Sequence, residues 1–353
     1  MHRVLLGAAG GFAGGLGVVS SCAYLVNEST PAPAFTTRGS RFQNNNFQGR
    51  FGNMLSTMDP CTLLASDEEV HKADALLKRF ELEGPSVASN AELWRAKQTR
   101  DSAMHPDTKE IIPRPFRMAG YVPFNGPVCV AMMISSTTPA LLFWNWVNQS
   151  QNALVNYYNR NASSPSTNED LAKSYGIAVS AAVLVAFGTS QLIQRRFDPP
   201  TAKRMLTFVA LPTCMIASSS NAYIMRSPEI ASGIALVDSN GLEVVPGARS
   251  SLAAKRAVME TVQSRIIMQL PTFFFPPMFM MFGPLAAAAA TSQVVNVSAN
   301  VFLTLAFFGL GLPASVAVFP VMGEIKVEDI DLPHVKQAAQ DKGLKAVYYN
   351  KGL

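Results

Sequence analysis

What most constrains this chain is where its charge is missing. Five windows contain no Asp, Glu, Lys, Arg or His: Val4–Asn27 (24 residues), Tyr121–Asn159 (39), Ser174–Gln194 (21), Met205–Met225 (21) and Ile266–Gly323 (58). Together they occupy 163 of the 353 residues. A soluble domain spreads charge over its whole surface and carries about 25% charged residues; here the figure is 15%. Each window reaches the ~20 residues that cross about 30 Å of hydrocarbon, and the last is long enough to cross twice. An ordinary soluble globule, a disordered chain and a disulfide scaffold are excluded. The reading is an all-α, polytopic helical membrane protein.

The remaining charge is unevenly placed. Residues 28–117 hold twelve basic and twelve acidic side chains, and residues 324–353 hold five of each. The connection Arg195–Arg204 carries Arg195, Arg196, Lys203 and Arg204 against Asp198, a net +3. Short basic loops stay on the side from which a membrane protein is inserted. If that side is the mitochondrial matrix, residues 28–117 are expected there too, and the 226–265 loop and the C-terminus on the opposite side. No basic run suits nucleic acid. Cys22, Cys61, Cys129 and Cys214 are far apart, and three of them sit in uncharged windows as small apolar groups.

The chain divides into an N-terminal helix (1–30), a polar linker (31–58), a soluble helical region (59–117), a transmembrane domain (118–323) and a soluble tail (324–353). The first helix carries Gly10/Gly14 and Gly11/Gly15 at GxxxG spacing, a pattern that lets another helix approach closely. A cleaved signal peptide and a presequence compete with a retained helix here. In the soluble region Ser66-Asp67-Glu68-Glu69 is a capping box that opens a helix with Val70, Ala73, Leu76, Leu77 and Phe80 at helical spacing. Gly84-Pro85 stops it, and a second helix is expected over about Asn90–Met104.

Within Tyr121–Asn159 one span is expected near 121–141, followed by a different kind of helix. Asn145, Asn148, Gln149, Asn152, Asn156 and Asn159 recur every three or four residues and share one helix face. Such amides are costly against lipid. Two readings stay open: a helix lining a polar translocation path, or an interfacial helix or inter-helix hydrogen-bond ladder. Further spans are expected near 174–194, 205–225 (with Asn221), 266–287 and 296–320. Pro271, Pro276 and Pro277 interrupt the fourth, either as a simple kink or as the discontinuous helix beside which transporters bind solutes. Between the third and fourth spans, Asn240-Gly241 flanked by Leu236-Val237 and Val244-Val245 signals a hairpin, and Leu252–Arg265 reads as a charged helix.

No phosphate-binding loop, dinucleotide fingerprint or H-E-x-x-H motif is present, and the four histidines are scattered. No enzyme activity, cofactor or metal is expected. With no charge inside the windows, a proton relay built on buried carboxylates is disfavoured. A neutral or zwitterionic solute suits amides and hydroxyls.

Several blocks carry a resemblance: Glu92-Leu93-Trp94-Arg95-Ala96-Lys97, His105-Pro106-Asp107-Thr108, Arg117-Met118, Val122-Pro123 with Asn125, and Thr137-Thr138-Pro139-Ala140. The densest runs from Leu142-Phe143-Trp144 through Trp146, Asn148-Gln149-Ser150, Asn152-Ala153 and Val155-Asn156-Tyr157. Pro276-Pro277 and the terminal Asn350-Lys351-Gly352-Leu353 complete the set. In this order they resemble the sideroflexin family of mitochondrial inner-membrane carriers, over roughly Asp59 to Leu353. The resemblance implies five spans and transport of serine or a related small neutral amino acid by a multi-pass protein of the mitochondrial inner membrane. It carries over no substrate ligands residue by residue. The polar lining then falls to Asn125, Asn148, Gln149, Asn152, Asn156 and Asn221, with Pro271, Pro276 and Pro277 as helix breaks. His105, Pro106, Asp107 and Thr108 form a family box read as a cap or as a gate. Lys109 stands where the family usually has glycine, and the helix bearing Gly10, Gly11, Gly14 and Gly15 is an addition. That helix supports an alternative: an accessory subunit of a respiratory-chain or ATP-synthase membrane complex. The expected partners are therefore a small neutral amino acid, the lipid bilayer and, through the N-terminal helix, other membrane subunits.

Overall fold

The computed structural model describes residues 2–37, 39–105, 108–135, 137–159, 168–238, 241–320 and 322–351. The chain begins with α1 (His2–Ser29) and α2 (Phe47–Thr57), then a soluble pair, α3 (Asp67–Glu83) and α4 (Asn90–Ala103). Both soluble helices open on complete capping boxes, Ser66 with Glu69 and Ser89 with Glu92. Part of the expected polar linker is docked on this pair. Phe35 is buried edge-on to Phe80 and Trp94, and Trp94 Nε1 donates to the Pro33 carbonyl at 3.0 Å.

The membrane domain follows with α5 (Tyr121–Ile134), α6 (Thr138–Tyr158), α7 (Asn168–Arg196), α8 (Pro199–Leu206) and α9 (Ala210–Ser232). After the short strands β1 (Ile234–Ala235) and β2 (Arg249–Ser250) come α10 (Ser251–Ile267), α11 (Gln269–Phe273), α12 (Phe275–Met281), α13 (Gly283–Thr291) and α14 (Gln293–Val318). The chain closes with β3 (Met322–Lys326), α15 (Pro333–Asp341) and β4 (Ala346–Asn350). The tail does not stand alone. Ile325, Val335, Val347 and Tyr349 share a core with Leu236, Val244, Ala253 and Ala257, so the 234–250 connection, the start of α10 and the tail make one small unit.

Among the described residues, four stretches are long and apolar enough to cross a membrane: Arg3–Ser29, Tyr175–Arg196, Pro199–Ser232 and Gln293–Val318. A fifth, Ser251–Met281 with Pro284–Thr291, is bent by 78°. The protein is thus a multi-pass helical membrane protein. The expected single span near 121–141 is corrected. The chain leaves the helix at Ser135, so α5 has 14 residues and α6 starts anew at Thr138. At 1.5 Å per residue, α5 is only about 21 Å long.

α5 and α6 form a hairpin. Tyr121 at the start of α5 donates to Asn152 near the end of α6, and the Phe116 and Tyr158 rings stack at 4.8 Å. The chain therefore enters and returns at the same end. α7 then runs back beside α6, with Ser150 2.9 Å from Tyr175 at one end and Gln194 3.4 Å from Thr138 at the other. α14 reaches the first end as well: Arg50 Nε donates to the Ala317 carbonyl at 2.8 Å, and Tyr121 lies edge-on to Phe308 at 5.3 Å. The regions 28–117 and 322–351 consequently share one side, and the +3 loop lies on the other. This overturns the expected placement of 28–117 beside that loop. The cause is the hairpin, which makes the 39-residue window turn back instead of crossing once.

The glycine pattern of α1 is used inside the chain. α1 runs parallel to α14, and a Cβ on Gly11 would overlap the carbonyl oxygen of Ser298. One on Gly15 would lie 2.7 Å from Leu305 Cβ, and one on Gly14 3.2 Å from the Phe302 ring. A Cβ on Gly7 would lie 2.5 Å from Ser298 Oγ. Gly10 differs, because a Cβ there meets nothing within 4 Å. Of the four expected packing glycines, Gly11, Gly14 and Gly15 face α14, and Gly10 faces outward.

Candidate functional site

The helix α6 is built inside out. Asn145, Asn148 and Gln149 are almost fully buried, whereas Phe143, Trp146, Leu154 and Tyr157 are exposed on the other side. An interfacial helix would show water its amides and bury its rings. Here the apolar side faces outward and the amides face the helix bundle, an arrangement suited to lipid outside and polar contacts inside.

The amides meet polar groups from two other helices. Asn125 on α5 donates through Nδ2 to Asn148 Oδ1 at 2.9 Å, and the same Nδ2 lies 3.8 Å from Cys129 Sγ. Asn148 Nδ2 points to Cys214 Sγ on α9 at 3.6 Å. Tyr121, Asn125 and Cys129 are spaced by four and so share one face of α5. With Asn145, Asn148, Gln149 and Asn152 of α6 and Cys214 of α9 they make a continuous polar seam. The seam is under-satisfied. Asn125 Oδ1, Asn145 Oδ1 and Gln149 Nε2 are buried without a hydrogen-bond partner. Such groups cost about 1–3 kcal/mol each.

Of the expected lining residues, the structure brings Asn125, Asn148, Gln149 and Asn152 together. The side chain of Asn156 lies outside the described residues. Asn221 is half-buried on α9, seven residues and two turns beyond Cys214, hence on the same face about 10 Å along the axis. Phe273, between Pro271 and Pro276, lies in the same core cluster as Cys129 and Cys214. Pro276 and Pro277 are buried at the start of α12, and Pro271 presses on Gly311 of α14, where any side chain would collide. Tyr121, Cys129 and Cys214 were missed as seam members. For Tyr121 and Cys129 the signal was the four-residue spacing around Asn125; Cys214, on α9, carried none.

The family box lies apart, on the loop after α4. His105 is buried and its Nδ1 accepts from the Thr108 N–H at 3.2 Å; its backbone N–H donates to Glu110 O at 2.9 Å. Pro106 and Asp107 lie outside the described residues. The box does not cap a following α-helix, because Met104 and Ile111 pair across it as a tight loop. Lys109 has φ +61°, the left-handed region that glycine adopts without cost. That explains why glycine suits this position. Beyond the loop, Arg117 is buried with Nε donating to Ile112 O at 2.7 Å. Burial lowers its pKa, Asp67 opposes that shift and Arg114 adds to it. Among the described residues, no group of three or more His, Cys, Asp or Glu is placed to hold a metal.

Comparison with known proteins agrees with the sequence blocks. The family model described as "Sideroflexins" matches residues 36–353, so α1 precedes it. Human Sideroflexin-5 is 36% identical over 327 residues, covering 91% of this chain and 94% of the relative. The Dictyostelium discoideum protein named Sideroflexin is 32% identical over 335 residues, covering 92% and 99%. Rattus norvegicus Sideroflexin-1 is 34% identical over 328 residues, covering 91% and 98%. No solved structure matches the chain. A multi-pass helical bundle with these motifs in order, matched by one family model over most of its length, belongs to the sideroflexin family.

Proposed function

We propose that this sideroflexin carries serine or a related small neutral amino acid across the mitochondrial inner membrane by alternating access. One observation carries the reading: α6 presents buried amides to the bundle and an apolar side outward. A zwitterion brings no net charge, so it needs no buried counter-ion; it needs acceptors for its ammonium and donors for its carboxylate. Asn125 Oδ1 and Asn145 Oδ1 are unpaired acceptors, and Gln149 Nε2 is an unpaired donor. The lining is assigned to Asn125, Asn148, Gln149, Asn152, Asn156 and Asn221. The broken segment at Pro271, Pro276 and Pro277 is the part of the bundle that re-packs, since proline removes backbone donors there.

The test is uptake of labelled serine, within a panel of amino acids, by the purified protein in liposomes. Saturable uptake is expected. Asn152→Leu, which removes the acceptor of the Tyr121 hydroxyl, should impair uptake with little loss of membrane insertion. Normal uptake by that variant removes the seam from the pathway, and no saturable uptake by the wild type sinks the carrier reading.

The accessory-subunit reading keeps a narrower footing. With Gly11 and Gly15 occupied by α14, the face left for a partner helix holds Gly10, Ala13 and Gly17, all exposed. Co-migration with a large complex on a native gel, abolished by deleting residues 1–30, would support it.

A further inference from the structure

We infer that a cavity at the membrane end of the soluble region is a binding site for a phosphate group. It is an open cleft of about 510 Å³ lined by Ser66, Asp67, Ile112, Arg114 and Arg117. Arg117 is 2% exposed, and its five N–H donors are poorly used. Nε makes the bond to Ile112 O, NH2 lies 3.7 Å from Asp67 Oδ1, and NH1 has no partner. A separation of 3.7 Å is too long for a hydrogen bond. The Asp67 side chain is also 68% exposed, so water weakens its hold on the guanidinium.

A cation taken out of water costs several kcal/mol unless it is paired and hydrogen-bonded. The chain supplies Arg117 with one short hydrogen bond and one loose ion pair to an exposed carboxylate. What is missing is an acceptor with more than one oxygen, and a phosphate offers that geometry to a guanidinium fork. Arg114 is exposed at the same cavity, which gives two guanidinium groups against the one lining carboxylate. The location fits as well. Arg117 immediately precedes the apolar stretch Met118–Ile134, the depth at which lipid headgroups lie. The phosphate is supplied either by a lipid headgroup or by a free phosphate compound. The inference does not depend on transport.

The experiment uses the full chain in two arms. In detergent micelles, thermal unfolding is followed against inorganic phosphate, with chloride at matched ionic strength as reference. In nanodiscs, phosphatidylcholine alone is compared with phosphatidylcholine plus phosphatidylglycerol. A saturable rise of the midpoint with phosphate, or a rise with the anionic lipid alone, is expected; the first assigns a free ligand and the second a headgroup. Asp67→Asn removes the competing charge from an exposed position and should lower the half-saturating concentration several-fold. Arg114→Gln, also exposed, should raise it several-fold while leaving the fold intact. Arg117→Lys should abolish the response. If neither wild type nor Asp67→Asn responds in either arm beyond the chloride reference, Arg117 is hydrated only and the proposal is overturned.

Discussion

Neighbouring glycines on α1 should respond oppositely to the same substitution. Gly→Ala inside a helix stabilises it by roughly 0.5–1 kcal/mol, because alanine loses less backbone entropy on folding. At Gly10 nothing stands within 4 Å of the new methyl group, so Gly10→Ala should realise that gain. At Gly11 the methyl would overlap the Ser298 carbonyl oxygen and lie 3.1 Å from its carbon and 3.2 Å from its Cα. Those atoms are backbone and cannot rotate away. Relief requires α1 and α14 to separate, which also loosens the contacts of Gly7 and Gly15. Overpacking of this kind costs about 1–3 kcal/mol. The helix gain is common to both variants, so their difference measures the collision alone. Gly7→Ala should fall between them, since its two nearest obstacles, Ser298 Oγ at 2.5 Å and Val294 Cγ1 at 2.8 Å, are side-chain atoms and the backbone oxygen of Val294 stands farther off at 3.2 Å. The assay is reversible unfolding of the full chain in mixed micelles, followed as fraction folded against denaturing detergent. Equal stability of Gly10→Ala and Gly11→Ala, or a larger loss at Gly10, would refute the parallel α1–α14 packing.

Three further outcomes are expected. Lys109→Gly should stabilise the soluble region by up to about 1 kcal/mol by removing left-handed strain, measured by chemical denaturation; a loss of stability would mean that the lysine side chain holds the loop. Asn125→Leu and Asn148→Leu should each cost about 1–3 kcal/mol by stranding the other's polar group, while the double variant costs less than their sum. Strict additivity would show that the two amides do not share a bond. Protease sites placed in the 31–46 segment and after the C-terminus should be cut or protected together in sealed membranes. Cleavage of one and protection of the other would break the shared-side topology.

Elements that depend on local chemistry were legible in the chain itself. The capping box at Ser66 starts a helix where its spacing says it should, and the charge-free windows near 174–194, 205–225 and 296–320 are helical. The amide stripe of α6 was legible as a stripe, but its direction was not. A periodic face says that polar groups share a side, whereas the neighbours decide whether that side meets water, lipid or other helices. The same limit applied to α1, where GxxxG spacing announces a close contact without naming the partner. Lys109 shows the reverse case: its left-handed backbone, the conformation that favours glycine, is visible only in the structure.

Residence in a membrane, the helical class and the location of the polar amides follow from sequence alone. Each is a matter of local composition, since charge cannot be hidden in hydrocarbon and a repeat of 3.6 residues sets which side chains share a face. The tertiary structure decided what long-range contacts control. Tyr121 meeting Asn152 turns a 39-residue window into a hairpin and moves the soluble regions to one side. Ser298 meeting Gly11 closes a groove that spacing alone leaves open to a partner. Both depend on residues far apart in the chain, and no local pattern encodes which distant surface a helix will meet.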